Sequence, residues 1–235
     1  MRNLLYAATA ITALALAPTA NAGLLAEYSV DGGATFAPIC SGLSGTSCTP
    51  GSNPFITSNG LSFLNFSVTS NSPGTATLAK LLETTLELTN PTAATQSIEI
   101  LVGDIGFALP SAPATLLENI AGTVVTGGAD NLFSGVGCVD GTNAQNSCPG
   151  TVHTPVITAN ITAPGSGNAT TTSPIPSLGT PYSITQLITL TLDRGADLNY
   201  VASASVAPVP EPATLGLLGV GLLGIGFVAR RKRSV

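Results

Sequence analysis

The stretch "ITQLITLTLDRGADLNYVASASV", residues 184–206, decides the fold class. Ile184, Ile188, Leu190 and Leu192 fall on one side with Gln186, and Thr185, Thr189 and Thr191 fall on the other with Leu187. Apolar residues recurring at every second position mark a half-buried strand, whereas a helix would space them at three and four. After "DRGAD" the alternation resumes, with Tyr200, Ala202, Ala204 and Val206 on one face. The five intervening residues read as a hairpin loop.

The same period extends outward from this stretch. In "TTLELTNPTAATQSIEILVGDIGF", residues 84–107, Leu86 and Leu88 share one face and Ile98, Ile100 and Val102 share another. Asn90-Pro91 starts a turn, so the segment predicts a second hairpin. "ATLAKLLETTLEL", residues 76–88, also fits a helix through Leu78, Leu81, Leu82 and Leu86. The strand reading is favoured because the alternation carries back from Leu88 to Leu82. "ATLLENIAGTVV", residues 114–125, has the same two readings. "LSFLNFSV", residues 61–68, changes apolar face between Phe63 and Leu64, which suggests a bulge. "APGSGNATTTSPIPSLGTP", residues 163–181, is polar and rich in Pro and Gly, and reads as a long surface loop. Short strands between turn signals such as Asp31-Gly32-Gly33, Pro73-Gly74 and Asp140-Gly141 predict an all-β, jelly-roll-like sandwich.

Charge is unevenly placed. Between Gly23 and Val209 there are eleven acids against two bases, Lys80 and Arg194, a formal charge of −9 that the whole-chain value of −5 conceals. A surface so poor in cations cannot neutralise many phosphates, so nucleic acid is not an expected partner.

The four cysteines fall in two local pairs, Cys40 with Cys48 and Cys138 with Cys148. Four cysteines allow three connectivities, and short-range pairing is the simplest. Each such bridge closes a loop of about ten residues and contributes about 2.5 kcal/mol. No C-x-x-C spacing points to a metal. The only histidine, His153, reads as a strand-surface residue, and no G-x-S-x-G occurs. Asp104, Asp130, Asp140, Asp193 and Asp197 show no spacing that singles out a catalytic pair, and most of them read as turn residues. "DRGAD" and "VDGTN" offer oxygen ligands for calcium without matching an EF-hand. Asn65, Asn160 and Asn168 head acceptor sequons that read as chance matches in so Thr-rich a chain.

Both ends stand apart from this body. Met1-Arg2-Asn3, an apolar run from Leu4 to Ala17 and Ala20-Asn21-Ala22 fit a secretory signal peptide cut by signal peptidase after Ala22. At the other end Pro210, Glu211 and Pro212 favour an extended backbone. Residues 213–229 are then apolar or small apart from Thr214. As a helix they would span about 25 Å against a hydrocarbon core of about 30 Å, a marginal transmembrane anchor. Arg230, Arg231, Lys232 and Arg233 follow and would hold this end in the cytoplasm.

Val209-Pro210-Glu211-Pro212, the Gly-rich apolar run and the Arg-rich end together resemble the PEP-CTERM sorting signal of exported proteins in Gram-negative bacteria, many of which make exopolysaccharide. The resemblance implies recognition by an exosortase, a membrane-embedded cysteine peptidase that removes the tail near the motif. "EYSVDGGATFAPIC" and "LELTNPTAATQSIEILVGDIGFALP" are similar to ectodomains often joined to this signal.

The organisation expected is a signal peptide over 1–22, a β-sandwich ectodomain over 23–207 and a sorting signal over 208–235. The expected function is that of a non-catalytic cell-surface or biofilm-matrix protein with no cofactor or metal, anchored in the inner membrane until exosortase processes it. A carbohydrate-binding module facing exopolysaccharide is the second reading, and a secreted hydrolase the third.

Overall fold

Alternation of apolar and polar residues builds two facing sheets. The computed structural model describes residues 23–209 apart from 129 and 147, and among them are fifteen strands and no helix. In chain order these are β1 (Leu24–Ser29), β2 (Ala37–Gly42), β3 (Ser47–Cys48), β4 (Phe55–Ile56), β5 (Ser62–Leu64), β6 (Ser67–Ser70), β7 (Ala79–Thr89), β8 (Gln96–Phe107), β9 (Ala114–Thr126), β10 (Asn131–Asp140), β11 (Val152–His153), β12 (Ile157–Ile161), β13 (Gly165–Ile175), β14 (Tyr182–Leu192) and β15 (Asp197–Pro208).

One layer orders β13-β9-β15-β7, and the other orders β12-β10-β14-β8. All pairings are antiparallel. From β7 to β15, each link between long strands crosses to the other layer, except that from β10 to β12, which stay side by side. That connectivity is a jelly roll. Beyond it, β1 and β2 extend the second layer past β8, while β5 and β6 pair with β7 on the first.

Three sequence expectations give way to this topology. "DRGAD" is not a hairpin loop: β14 and β15 lie in different sheets, so these residues arch between layers. Residues 90–95 likewise join β7 to β8 across the sandwich and close no hairpin. The arch is held by buried Asn90, whose Nδ2 donates to the carbonyls of Ala94 (2.9 Å), Leu192 (2.9 Å) and Asp193 (3.1 Å). Residues 163–181 are not a loop throughout, because Gly165–Ile175 form edge strand β13 paired along β9. Its inward positions carry small residues, so it lacks an apolar signature, and an edge strand tolerates Pro174.

Both helix-or-strand ambiguities resolve to strand, in β7 and β9. The alternation in β7 does not run back to Leu82, however. A register shift lies between the pairs Leu198↔Leu88 and Tyr200↔Thr85, and the strand changes face there. Leu81, Glu83 and Thr85 are buried before the bulge and Leu88 after it. The irregularity expected in residues 61–68 is present as a break at Asn65, which has φ 54°, a left-handed conformation asparagine tolerates.

The core lies between the layers. Ile98, Ile100 and Val102 from β8 and Ile184, Ile188, Leu190 and Leu192 from β14 meet Leu116, Ile120, Tyr200, Ala202, Ala204 and Val206 from β9 and β15. Phe133 and Tyr200 pack edge to face at 5.3 Å, and Phe107 stacks on Tyr182 at 5.6 Å. The Tyr182 hydroxyl donates to the carbonyl of Leu109 at 2.9 Å, so its burial leaves no orphaned donor. Each such ring stabilises the fold by about 1.5–3 kcal/mol through removal from water.

Candidate functional site

The described chain ends at one pole of the sandwich. Pro208, the last residue of β15, pairs with Ala114, and the N–H of Val209 donates to the carbonyl of Pro113 at 3.2 Å. Leu24 pairs with Asp104 at the end of β8, and the Gly23 carbonyl accepts from the N–H of Ile105 at 3.3 Å. Residues 23 and 209 therefore leave the fold at the same pole, here the near pole. The expected signal peptide, the processing residues Pro210, Glu211 and Pro212, the apolar run 213–229 and the basic residues Arg230, Arg231, Lys232 and Arg233 lie outside the described residues.

The cysteines pair locally, Cys40 with Cys48 and Cys138 with Cys148, with Cα separations of 5.7 and 5.5 Å. The first bridge ties β2 to β3, and the second ties β10 to the loop after it.

On the outer face of the β13-β9-β15 layer lies a groove of about 480 Å³. Two cross-strand rows line it, Asn168–Ala121–Val201 and Ser166–Thr123–Asn199. Ala121 is the low point of the first row. Gly167 and Gly122, paired across β13 and β9, contribute backbone to the wall. The lining carries amides and hydroxyls and no charged side chain. Tyr200 contributes to the floor, but its ring is buried in the core and offers no stacking platform.

Two carboxyl groups lie in the core itself. Glu83 on β7 and Glu118 on β9 are both fully buried, on either side of β15, where Ala202 and Ala204 stand opposite them. The small alanines leave room for the longer side chains. Gly135 and Gly137 do so from the facing sheet, since a Cβ there would come within 3.0 and 2.8 Å of the Glu118 carboxyl oxygens. The Tyr200 hydroxyl donates to Oε1 of Glu83, and Gln186 Nε2 donates to Oε1 of Glu118 at 2.6 Å. Burial pushes the Glu83 carboxyl up to about 8 against the opposing pull of Tyr200. Burial likewise holds Glu118 well above the ordinary range against the pull of Gln186, and ionisation of Glu83 would raise it further. Both groups are therefore kept neutral at neutral pH, which avoids the cost of burying two like charges. Sealed from solvent, they have no route to a substrate. Gln186 on an apolar strand face was the sequence signal for this cluster. Glu83 and Glu118 themselves were missed.

The carboxylates considered from sequence do not converge. Asp104 and Asp140 lie toward the near pole, and Asp130, Asp193 and Asp197 lie at the opposite, far pole. The turn reading fits two of them directly, and Asp31 as well. Asp140 Oδ1 accepts from the N–H of Thr142 at 2.7 Å, Asp193 Oδ1 accepts from the N–H of Arg194 at 2.9 Å, and Asp31 is bound by Ser29 and Thr35. Asp104 departs from it: it is buried within β8 and accepts from the N–H of Gly45 at 3.0 Å. Among the described residues no three of His, Cys, Asp and Glu gather into a group that could hold a metal ion. His153 lies exposed on β11 with its Nδ1 3.1 Å from the carbonyl of Thr154.

No curated protein matches the chain. Among solved structures, it is similar to TmCBM61 in complex with beta-1,4-galactotriose, at 10% identity over 61% of this chain and 88% of that one, with a TM-score of 0.33. It is similar to the enzymatically active domain of tailspike protein 4 of bacteriophage CBA120, at 12% over 59% and 19%, with a TM-score of 0.31. The C-terminal CBM6 of LamC from Zobellia galactanivorans is similar at 12% over 51% and 86%, with a TM-score of 0.24. At TM-scores this low the likenesses carry no functional weight. Residues 208–233 match the family model for the PEP-CTERM protein-sorting motif. Directly behind β15, the chain carries a PEP-CTERM protein-sorting motif.

Proposed function

We propose that this is an exported, non-catalytic surface or matrix protein. It is held in the membrane by its C-terminal run and is processed by an exosortase near Pro210-Glu211-Pro212. The observation that carries the reading is the sorting motif over 208–233, which begins where β15 ends at Pro208. Two disulfides suit an oxidising compartment. The non-catalytic reading is supported by the burial of Glu83 and Glu118 and by the spread of the other acids over two poles. The test is the mass of the C-terminal peptide of surface-exposed protein in wild-type cells and in cells lacking exosortase. Processing predicts a peptide ending near residue 212 only where exosortase is present. A tail intact through Val235 in wild-type cells would refute it.

A second reading, that the exported domain binds a neutral polysaccharide, is favoured by the uncharged groove around Ala121. Amide and hydroxyl side chains there offer both donors and acceptors to sugar hydroxyls. Affinity electrophoresis in neutral and acidic polysaccharides tests it. Retardation by neutral glycan should be lost in Asn168→Ala/Asn199→Ala, and equal mobility of the two proteins would refute it.

A further inference from the structure

The two poles of the sandwich differ in charge. At the far pole, the connecting segments and the first residue of β15 carry Asp31, Asp130, Asp193, Arg194 and Asp197. At the near pole the segments 43–46, 71–78, 108–113, 141–151 and 176–181 contain no charged residue. The acids closest to that pole, Asp104 and Asp140, are buried and hydrogen-bonded to neighbouring loop residues.

Beside Lys80, the half-buried second residue of β7, the near pole exposes large apolar side chains. Leu43 is 75% exposed, Val209 44%, Leu109 43% and Leu78 36%. These sit on loops bound to one another. The N–H groups of Ala108 and Leu109 both donate to the carbonyl of Pro73, at 2.9 and 3.1 Å. Ser44 and Ser72 both donate to the carbonyl of Ile105, at 2.6 and 2.9 Å. The far pole also exposes Val30, Ile56 and Val125, but among acids whose transfer from water would be unfavourable.

The length of chain beyond the near pole sets what it faces. Three residues, 210–212, separate Val209 from the apolar run that begins at Ala213. Fully extended they reach at most about 10 Å. The headgroup layer of a bilayer is itself about 5–7 Å deep. With the run in the membrane, Val209 is held within about 3–5 Å of the outer edge of the headgroup layer, close enough for exposed side chains of the near pole to reach it.

We propose that the near pole is a membrane-docking face, with Leu43, Leu78, Leu109 and Val209 seated in the lipid interface of the anchored precursor. This rests on the anchored reading given above. Uncharged, leucine-bearing loops enter the headgroup layer without burying a charge, as interfacial apolar side chains do. The acidic far pole is held away from an anionic surface. Docking also fixes the sandwich upright, so that the segment after Val209 meets a membrane-embedded peptidase at constant depth.

The experiment uses the full chain reconstituted into phosphatidylethanolamine–phosphatidylglycerol vesicles whose acyl chains carry bromine. The protein has no tryptophan, so Leu43→Trp reports the near pole and Ile56→Trp, at a 63% exposed position near the far pole, is the matched control. The expected result is loss of fluorescence in L43W by brominated lipid, with I56W unaffected and quenched instead by aqueous acrylamide. Resistance to carbonate extraction shows that the tail is inserted. An inserted chain whose L43W is quenched by acrylamide and not by lipid overturns docking and leaves anchoring intact. Shielding of L43W from both quenchers would place a second copy on the pole and also overturn it. Extraction by carbonate would overturn the anchored reading and this inference with it.

Discussion

Glu83 makes the stability of this sandwich depend on pH in a direction opposite to that of a salt-bridged acid. In the unfolded chain its carboxyl ionises near 4.5, and in the folded core it holds its proton to about 8. Between those values the folded state binds a proton that the unfolded state lacks, so stability falls as pH rises. The slope is about 1.4 kcal/mol per pH unit for one such group. The contribution of protonated Glu83 is fully present below pH 4.5 and is lost as the pH rises through 8. By pH 8 the loss is about 4 kcal/mol, a large part of a typical domain stability of about 5–15 kcal/mol. Glu118 acts in the same sense, so the slope roughly doubles while both protons are held. Glu83→Gln removes one titration while keeping an acceptor for the Tyr200 hydroxyl. Its slope should fall by about half, and that of the double variant with Glu118→Gln should nearly vanish. Asp31 acts oppositely: hydrogen bonds from Ser29 and Thr35 hold its carboxyl at about 2, so its contribution is present above 3.8 and lost only as pH falls toward 2. Urea unfolding of residues 23–209, followed by circular dichroism from pH 5 to 8 with the disulfides intact, reads the slope. A wild-type midpoint independent of pH over that range, or a slope that survives in the double variant, would refute the reasoning.

Gly137→Ala should destabilise the domain by about 1–3 kcal/mol, because the new Cβ would lie 2.8 Å from Glu118 Oε2 in a closed core; the urea midpoint at pH 5 measures it. Cys138→Ser/Cys148→Ser should lower stability by about 2.5 kcal/mol, and peptide mapping without reduction should recover only the Cys40–Cys48 peptide from that variant. Replacing Pro210 and Pro212 with Ala should block removal of the tail while leaving the precursor resistant to carbonate extraction, since neither residue lies in the apolar run. Neutralising Arg230, Arg231, Lys232 and Arg233 should instead impair orientation and processing together, read by protease accessibility of the domain.

Elements encoded by a local period or a short motif were legible without the fold. Alternation at 184–192 and 200–206 is enough to name two strands and their buried faces, because successive side chains on a strand point to opposite sides. Local spacing also sufficed for the two disulfides. Partner choice was left to the tertiary structure, since alternation is the same whether a strand turns back beside its neighbour or arches to the other sheet. The amide of Asn90, reaching three carbonyls from two segments, belongs to an arch that no local pattern announces. Strand β13 was hidden because an edge strand with small inward residues needs no apolar signature. The acid pair was hidden for a different reason. Counting back from Leu88 in steps of two points Leu82 inward and Glu83 outward, and only the bulge in β7 reverses that order. A one-residue shift moves a whole strand segment to the other face, so a carboxylate that reads as solvated became one of two sealed between the sheets.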